Sequence, residues 1–323
     1  MNITRTELKD IAKRVVDKEA EVIARLKASI DDSFVDALEL IYNSRGRLIV
    51  TGIGKSAIIA SKIVATLNST GTPSVFMHAA DAIHGDLGII QKEDIVLCLS
   101  KSGDTSEIKV LVPWIRNMGN TIIGLVSNPD SFLARQADIT ICATVDSEAC
   151  PNNLAPTSST TSQLVIGDAL AVCLLNMRGF TAEDFARFHP GGSLGKKLYT
   201  KVDELIDRDV NPQVSEEETI QNTIINISAN RLGATVVIDK QGEIAGIITD
   251  GDVRRMLEKG VDLKLLSAAD IMSKNPKTVE IGELAVNAFN IMEKNKITSV
   301  VVLDNGKYAG LVHIHDIIRE GIV

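Results

Sequence analysis

The chain has 323 residues, 45% hydrophobic and 24% charged, enough for two or three compact units with real cores. A net charge of −8 without any Lys/Arg cluster argues against nucleic-acid binding, and no apolar run of about 20 residues suggests a membrane span. The opening MNITRTELKD lacks an apolar signal core; Cys98, Cys142, Cys150 and Cys173 form no C-x-x-C pair, and three sit in apolar runs, so buried, reduced thiols in a cytoplasmic protein are expected.

Residues 4–44 are predicted helical, because Leu8, Ile11, Val15, Val22, Leu26 and Ile30 recur at helical spacing. Short apolar runs then alternate with helical stretches. The predicted strands are Arg47–Thr51, Ser74–Met77, Asp94–Ser100, Thr121–Ser127 and Asp138–Thr144. Helices are expected over Ser56–Leu67, Thr105–Met118 and Ser131–Gln136, with a long one over Ser158–Met177. This alternation predicts an α/β fold: a parallel sheet flanked by helices. Aromatics are only 3%, so aliphatic side chains must fill its core. His189-Pro190-Gly191-Gly192 breaks helix and starts an exit loop. Beyond residue 202 an internal repeat appears at an offset of 64 residues, Thr235–Ile238 through Asp252 matching Ser299–Val302 through Asp316. Each copy reads as helix, strand, Gly turn, strand, helix. The expected domains are 1–200, 203–262 and 268–323.

Ligands of parallel sheets bind at the carboxyl ends of the strands. The loop Thr51-Gly52-Ile53-Gly54-Lys55-Ser56 places glycines before a helix N-terminus, where an anion is welcome. It is no Walker A loop. A dinucleotide reading through Gly52, Gly54 and Ala57 lacks the acidic residue that should follow the second strand. Ser100-Lys101-Ser102-Gly103-Asp104-Thr105-Ser106 offers four hydroxyls and open backbone N–H groups, more than a simple helix cap needs, so it reads as a phosphate cradle. Glu107 follows one step into the helix. Glu148 opens a proline-flanked loop leading through Thr157 and Ser158 into the long helix; a placed carboxylate and a solvated one are both open there. His189 is constrained by Pro-Gly-Gly, and His84 is a second candidate. No histidine pair has the spacing of a zinc site, so no catalytic metal is expected.

These segments, with Glu148-Ala149-Cys150-Pro151, Pro156-Thr157-Ser158-Ser159-Thr160-Thr161, Gly167–Ala171 and Gly179–Gly195, resemble the D-arabinose 5-phosphate isomerases over essentially the whole chain. The resemblance implies a sugar-isomerase (SIS) domain followed by a tandem CBS pair. It also implies a cytoplasmic homotetramer without cofactor that interconverts D-ribulose 5-phosphate and D-arabinose 5-phosphate toward the lipopolysaccharide sugar Kdo. The family's catalytic positions fall on Lys55, Glu107, Glu148 and His189. Gly54, Ser56, His84, Ser100, Ser102, Thr105, Thr157 and Ser158 are the expected substrate contacts. Three positions depart from the family pattern: Lys101 stands where a small amide is expected, and Asp81 and Asp104 where Glu is expected. In similar CBS modules a Thr and an Asp hold a ribose. That implies a nucleotide site on Thr249 and Asp252, with Arg254 or Arg255 for a phosphate and with Asp316 as the second copy's acid; a pair that only packs subunits together is the alternative.

An isomerase moving a proton between C1 and C2 needs a base at carbon and a positive group at the enediolate. Glu148 is the first choice for the base and Glu107 the second. Two carboxylates in one pocket are expected to raise one pKa. Lys55 is assigned to the enediolate and His189 to proton shuttling. The rival readings are an isomerase of another sugar phosphate and a non-catalytic sugar-phosphate sensor.

Overall fold

The computed structural model describes residues 3–207 and 209–323. The chain divides into two compact units after Phe185. In the first, α1 (Arg5–Arg25) opens on a capping box between Thr4 and Glu7. The helical stretch expected over 4–44 is in fact two helices. A 3-10 turn over Leu26–Ser29 ends the first, and Asp31 starts α2 (Asp32–Asn43) by accepting the N–H groups of Ser33 and Phe34.

The alternating segment follows as β1 (Leu48–Gly52), α3 (Lys55–Ser69), β2 (Ser74–His78), α4 (Ala79–Ala82), β3 (Ile95–Ser100) and α5 (Ser106–Met118). Next come β4 (Thr121–Val126), α6 (Phe132–Gln136), β5 (Ile139–Cys142) and α7 (Ser158–Met177). Every ladder in the five-stranded sheet is parallel, in the order β2-β1-β3-β4-β5. All residues of β1 and β3 are buried, which is why they read as unbroken apolar runs. Val50, Leu97, Leu99 and Leu125 form a core with α3 and α7 on one face; Ile49, Val96, Cys98 and Ile122 form another with α5. Phe34 is the one aromatic among the buried hydrophobic side chains described.

By length and composition α7 could cross a membrane, which corrects the expectation that no such run exists. It serves as a core helix: Ile166, Leu170 and Leu174 are buried. Gly167 lets it lie directly on α3, since a Cβ there would come within 2.3 Å of Ile63 Cδ1.

The order of the sheet creates its site. The chain leaves β1 for β2 on one side, then crosses to β3 on the other. The loops after β1 and β3 therefore diverge from neighbouring strands and open a crevice at their carboxyl ends. At the amino ends, buried Asp94 accepts from the Arg47 side chain at 2.7 Å and from the N–H groups of Arg47 and Gln91, tying the two strands in register.

α8 (Ala182–Phe188) spans the division. The second unit continues with α9 (Ser193–Tyr199) and two small sheets, β6-β7-β8 and β11-β10-β9. The first copy runs β6 (Gln213–Ser215), α10 (Ile220–Asn230), β7 (Ala234–Ile238), β8 (Ile244–Thr249) and α11 (Asp250–Glu258). After α12 (Ala268–Ile271), the second runs β9 (Thr278–Glu280), α13 (Ala285–Asn295), β10 (Ser299–Asp304), β11 (Lys307–His313) and α14 (Ile314–Arg319). The repeat is real, but its offset is not uniform. Ala234 pairs with Thr249 and Ser299 with His313, so β7 and β10 are 65 residues apart while β8 and β11 are 64 apart. The second turn is one residue shorter. Val236, Val237 and Val300–Val302 are all buried, so no alternation marked the register. Ala234, Val236, Val301 and Leu311 form one shared core between the copies.

Candidate active site

At the end of β3 the chain turns through a braced loop. Ser100 Oγ accepts the Gly103 N–H at 3.1 Å, and Ser102 Oγ accepts that of Asp104 at 3.3 Å. The Lys101 and Gly103 carbonyls accept from Ser127 N and Leu133 N, each at 3.0 Å. Gly103 has φ +68°, and a Cβ there would strike Ser131 Oγ at 2.2 Å. Asp104 is drawn aside to Lys109, 3.1 Å away. Thr105 is the N-cap residue of α5 yet supplies no side-chain cap, and its Oγ1 is buried without a partner. The positive end of α5 is thus left for an anion. Glu107 stands half-buried in the first turn, accepting from Ser106 Oγ at 3.0 Å.

The neighbouring loop after β1 repeats this design. A Cβ on Gly52 would lie 3.2 Å from the Leu99 carbonyl, so glycine lets the two strand ends approach. Gly54, with φ +58°, is the N-cap position of α3 and has no side chain to cap it. Lys55 is exposed at the first position of that helix, with half-buried Ser56 behind it. Two uncapped helix N-termini and a lysine therefore face the ends of adjacent strands.

Glu148 is held by five hydrogen bonds. Oε1 accepts from Lys101 Nζ at 2.7 Å and Ser159 Oγ at 2.5 Å. Oε2 accepts from Thr157 N at 2.8 Å, Ser159 N at 3.1 Å and Thr157 Oγ1 at 3.2 Å. Glu148 thereby caps α7, whose own N-cap Thr157 makes no side-chain cap. Burial pushes this carboxyl upward, but Lys101, Ser159 and the backbone of Thr157 outweigh it and bring it down to about 2. The shift of Glu148 is downward because its near neighbours are donors, not a second carboxylate.

Family comparison matches the SIS domain over residues 40–173 and the CBS domain over 202–259 and 268–322. An arabinose 5-phosphate isomerase of Pseudomonas aeruginosa is 47% identical over 314 residues, 97% of this chain and 96% of that one. Its Escherichia coli counterpart is 44% identical over 318 residues, 98% and 97% of the two chains. The chain belongs to the arabinose 5-phosphate isomerase family. An E. coli CFT073 protein solved in complex with arabinose 5-phosphate matches in structure with TM-score 0.57 and 38% identity, over 58% of this chain and all of that one.

For this family member, the first unit brings Gly54, Lys55, Ser56, Ser100, Ser102, Thr105 and Glu107 to the ends of β1 and β3. Lys101 joins that cradle to Glu148, Thr157 and Ser159. Thr157 spends its hydroxyl on Glu148 and on the Ala149 N–H, whereas Ser158 Oγ is buried without a partner. His84 is exposed in the turn after α4. His189 belongs to the second unit, in a tight turn whose carbonyl accepts from Gly192 N at 3.0 Å. Among the described residues no group of three His, Cys, Asp or Glu side chains converges as a metal site. Sequence reasoning missed Ser159, the donor of two bonds to Glu148; the hydroxyl-rich entry to α7 was the signal. Of the cysteines only Cys98 is buried, its thiol pushed up to about 12 by burial; Cys142, Cys150 and Cys173 are half-buried, which corrects the uniform expectation.

The Thr249 and Asp252 pair also has a structural use. Asp252 Oδ2 accepts from Thr249 N and Oγ1, and Oδ1 from Arg255 and Ser273, so the pair forms a capping box at α11. In the second copy the His313 ring replaces the threonine hydroxyl, accepting from His315 N at 3.2 Å, and Asp316 accepts from His313 N. Asp252 is thus engaged by the helix cap, Arg255 and Ser273. Thr249 and His313 line one cavity, of about 570 Å³, while Asp316 lines another.

Proposed function

We propose that the chain interconverts D-arabinose 5-phosphate and D-ribulose 5-phosphate through an enediol. The full-length identity to arabinose 5-phosphate isomerases carries this reading. The site geometry supports it: the open end of α5, with Ser100, Ser102 and Thr105, suits a phosphate, and Lys55 on the next strand end suits the enediolate oxygen. We assign the carbon base to Glu107 rather than Glu148. A base works best with its pKa near the operating pH, and Glu148 holds five hydrogen bonds and titrates at about 2. His189 is assigned to proton transfer by family resemblance. The test is incubation with D-ribulose 5-phosphate in deuterated water, followed by NMR. Arabinose 5-phosphate carrying deuterium at C2 is expected; no conversion of this substrate while another sugar phosphate reacts would reject the assignment.

The further expectations of a homotetramer, a cytoplasmic location and a product that feeds Kdo synthesis rest on the same resemblance, and light scattering of the purified chain tests the first. For the CBS pair we infer one anion site in the 570 Å³ cavity. Arg254, Arg255, Lys274, Lys277 and Lys296 line it against Asp250 alone, a balance that suits a nucleotide's phosphates. Calorimetry with a nucleotide panel on the wild type and on Lys296→Ala tests this; affinity unchanged by the substitution would reject it.

A further inference from the structure

Lys101 has no assigned role, yet it sits inside the cradle between two hydroxyls read as phosphate ligands. Its carbonyl accepts from the Ser127 N–H at 3.0 Å, which anchors its backbone at the end of β3. The ammonium rests on Glu148, but the two partners are placed very differently: the Glu148 side chain is 1% exposed and that of Lys101 is 41% exposed. An incoming anion can therefore reach the lysine without uncovering the carboxylate. Glu148 would keep four donors from Thr157 and Ser159 if the ammonium turned away. Two hydroxyls of the same segments make no bond, Thr105 Oγ1 at the far end of the loop and Ser158 Oγ in the residue before Ser159. Both are buried with no partner in the protein. Buried hydroxyls are costly unless bonded.

We propose that Lys101 is a substrate-binding residue, a second cation that Glu148 holds at the cradle and that a phosphate monoester draws onto itself. A dianion offers the ammonium more charge than one carboxylate already satisfied by other donors. Glu148 is then the positioning residue that keeps Lys101 extended across the loop. The inference rests on the reading of Ser100–Thr105 as a phosphate cradle and adds a specificity element to it: charge as well as hydroxyls selects a phosphorylated sugar.

The test compares the full-length wild type with Lys101→Met, Lys101→Gln and Lys101→Arg. The probes are inorganic phosphate and arabinose 5-phosphate. Calorimetry follows the phosphate that arabinose 5-phosphate displaces, which separates this site from the cationic cavity of the CBS pair. In Lys101→Met and Lys101→Gln the phosphate Kd and the KM should rise about tenfold or more, the scale of one charge-assisted hydrogen bond, with the loss falling on KM rather than kcat. Lys101→Arg should recover most of the affinity. Lys101→Gln keeps a donor for Glu148, so it stands in if Lys101→Met fails to fold. Unchanged phosphate affinity and KM, with only melting temperature or kcat lowered, would overturn the proposal and leave Lys101 as a structural partner of Glu148. A wild type that binds phosphate in a Lys101-dependent way but does not isomerise would refute the proposed activity and leave this inference standing.

Discussion

Glu107 and Glu148 share one edge of the sheet but are held in opposite ways. Glu107 is half-buried and bonded by one exposed serine hydroxyl, so its carboxylate is free to meet a substrate. Glu148 is buried and saturated. Glu107→Gln is therefore expected to lower kcat by about 100-fold or more with little change in melting temperature. Glu148→Gln should instead destabilise the fold by about 2–3 kcal/mol, less than a fully buried broken pair because Lys101 keeps contact with water. Urea unfolding of both variants, with kcat measured alongside, checks the pair; a stable Glu148→Gln that has lost turnover would return the base role to Glu148. The same carboxylate sets a pH dependence. Its folded pKa lies below its ordinary 4.5, at about 2, so the stability it contributes is fully present above pH 4.5 and is lost as pH falls through 2. The difference is on the order of 3 kcal/mol. Wild type and Glu148→Gln should therefore converge in stability between pH 4.5 and pH 2.

At the scale of elements, the site is made of helix starts. α3 and α5 begin without side-chain caps, and α7 receives its cap from Glu148, outside the helix. Two free N-termini on adjacent strands are an arrangement a phosphate can repay. The geometry of the α5 start depends on Gly103, whose left-handed φ and contact with Ser131 exclude any side chain. Gly103→Ala should raise KM at least tenfold and lower the melting temperature, because either the loop or α6 has to shift. A KM within twofold of wild type would show that the loop tolerates that shift without losing its ligand. These loops were legible in the sequence as Gly- and Ser-rich breaks after apolar runs. The missing caps were not: Thr105 reads as one of several cradle hydroxyls, and only the fold shows its hydroxyl buried and unbonded at an uncapped helix start.

At the scale of the whole molecule, the division after Phe185 decides what a truncation would leave. The segment after it belongs with the CBS pair. Val202 is fully buried in the core of the second copy, its N–H bonded to the Glu283 carbonyl at 2.8 Å, and Lys196 donates to the Glu320 carbonyl at 2.9 Å. A chain ending at 185 should therefore unfold cooperatively in a thermal melt. One ending at 202 should carry a protease-sensitive tail, because residues 186–202 lose these partners. Equal resistance of the two truncated chains to limited proteolysis would count against this.

The sequence by itself determined the parallel sheet, the strand limits to within a residue or two, the paired repeat and the loops that hold the site. These follow from local physics: buried strands are unbroken apolar runs, and turns need glycine and hydroxyl residues. Two things were decided only by tertiary structure. The register of the repeat depended on pairing across strands that are buried on both faces. The character of Glu148 depended on Lys101, 47 residues earlier, and on Thr157 and Ser159 at the start of α7. A carboxylate's pKa is set by the donors and charges that surround it in space, and those neighbours come from separate segments that only the folded chain brings together.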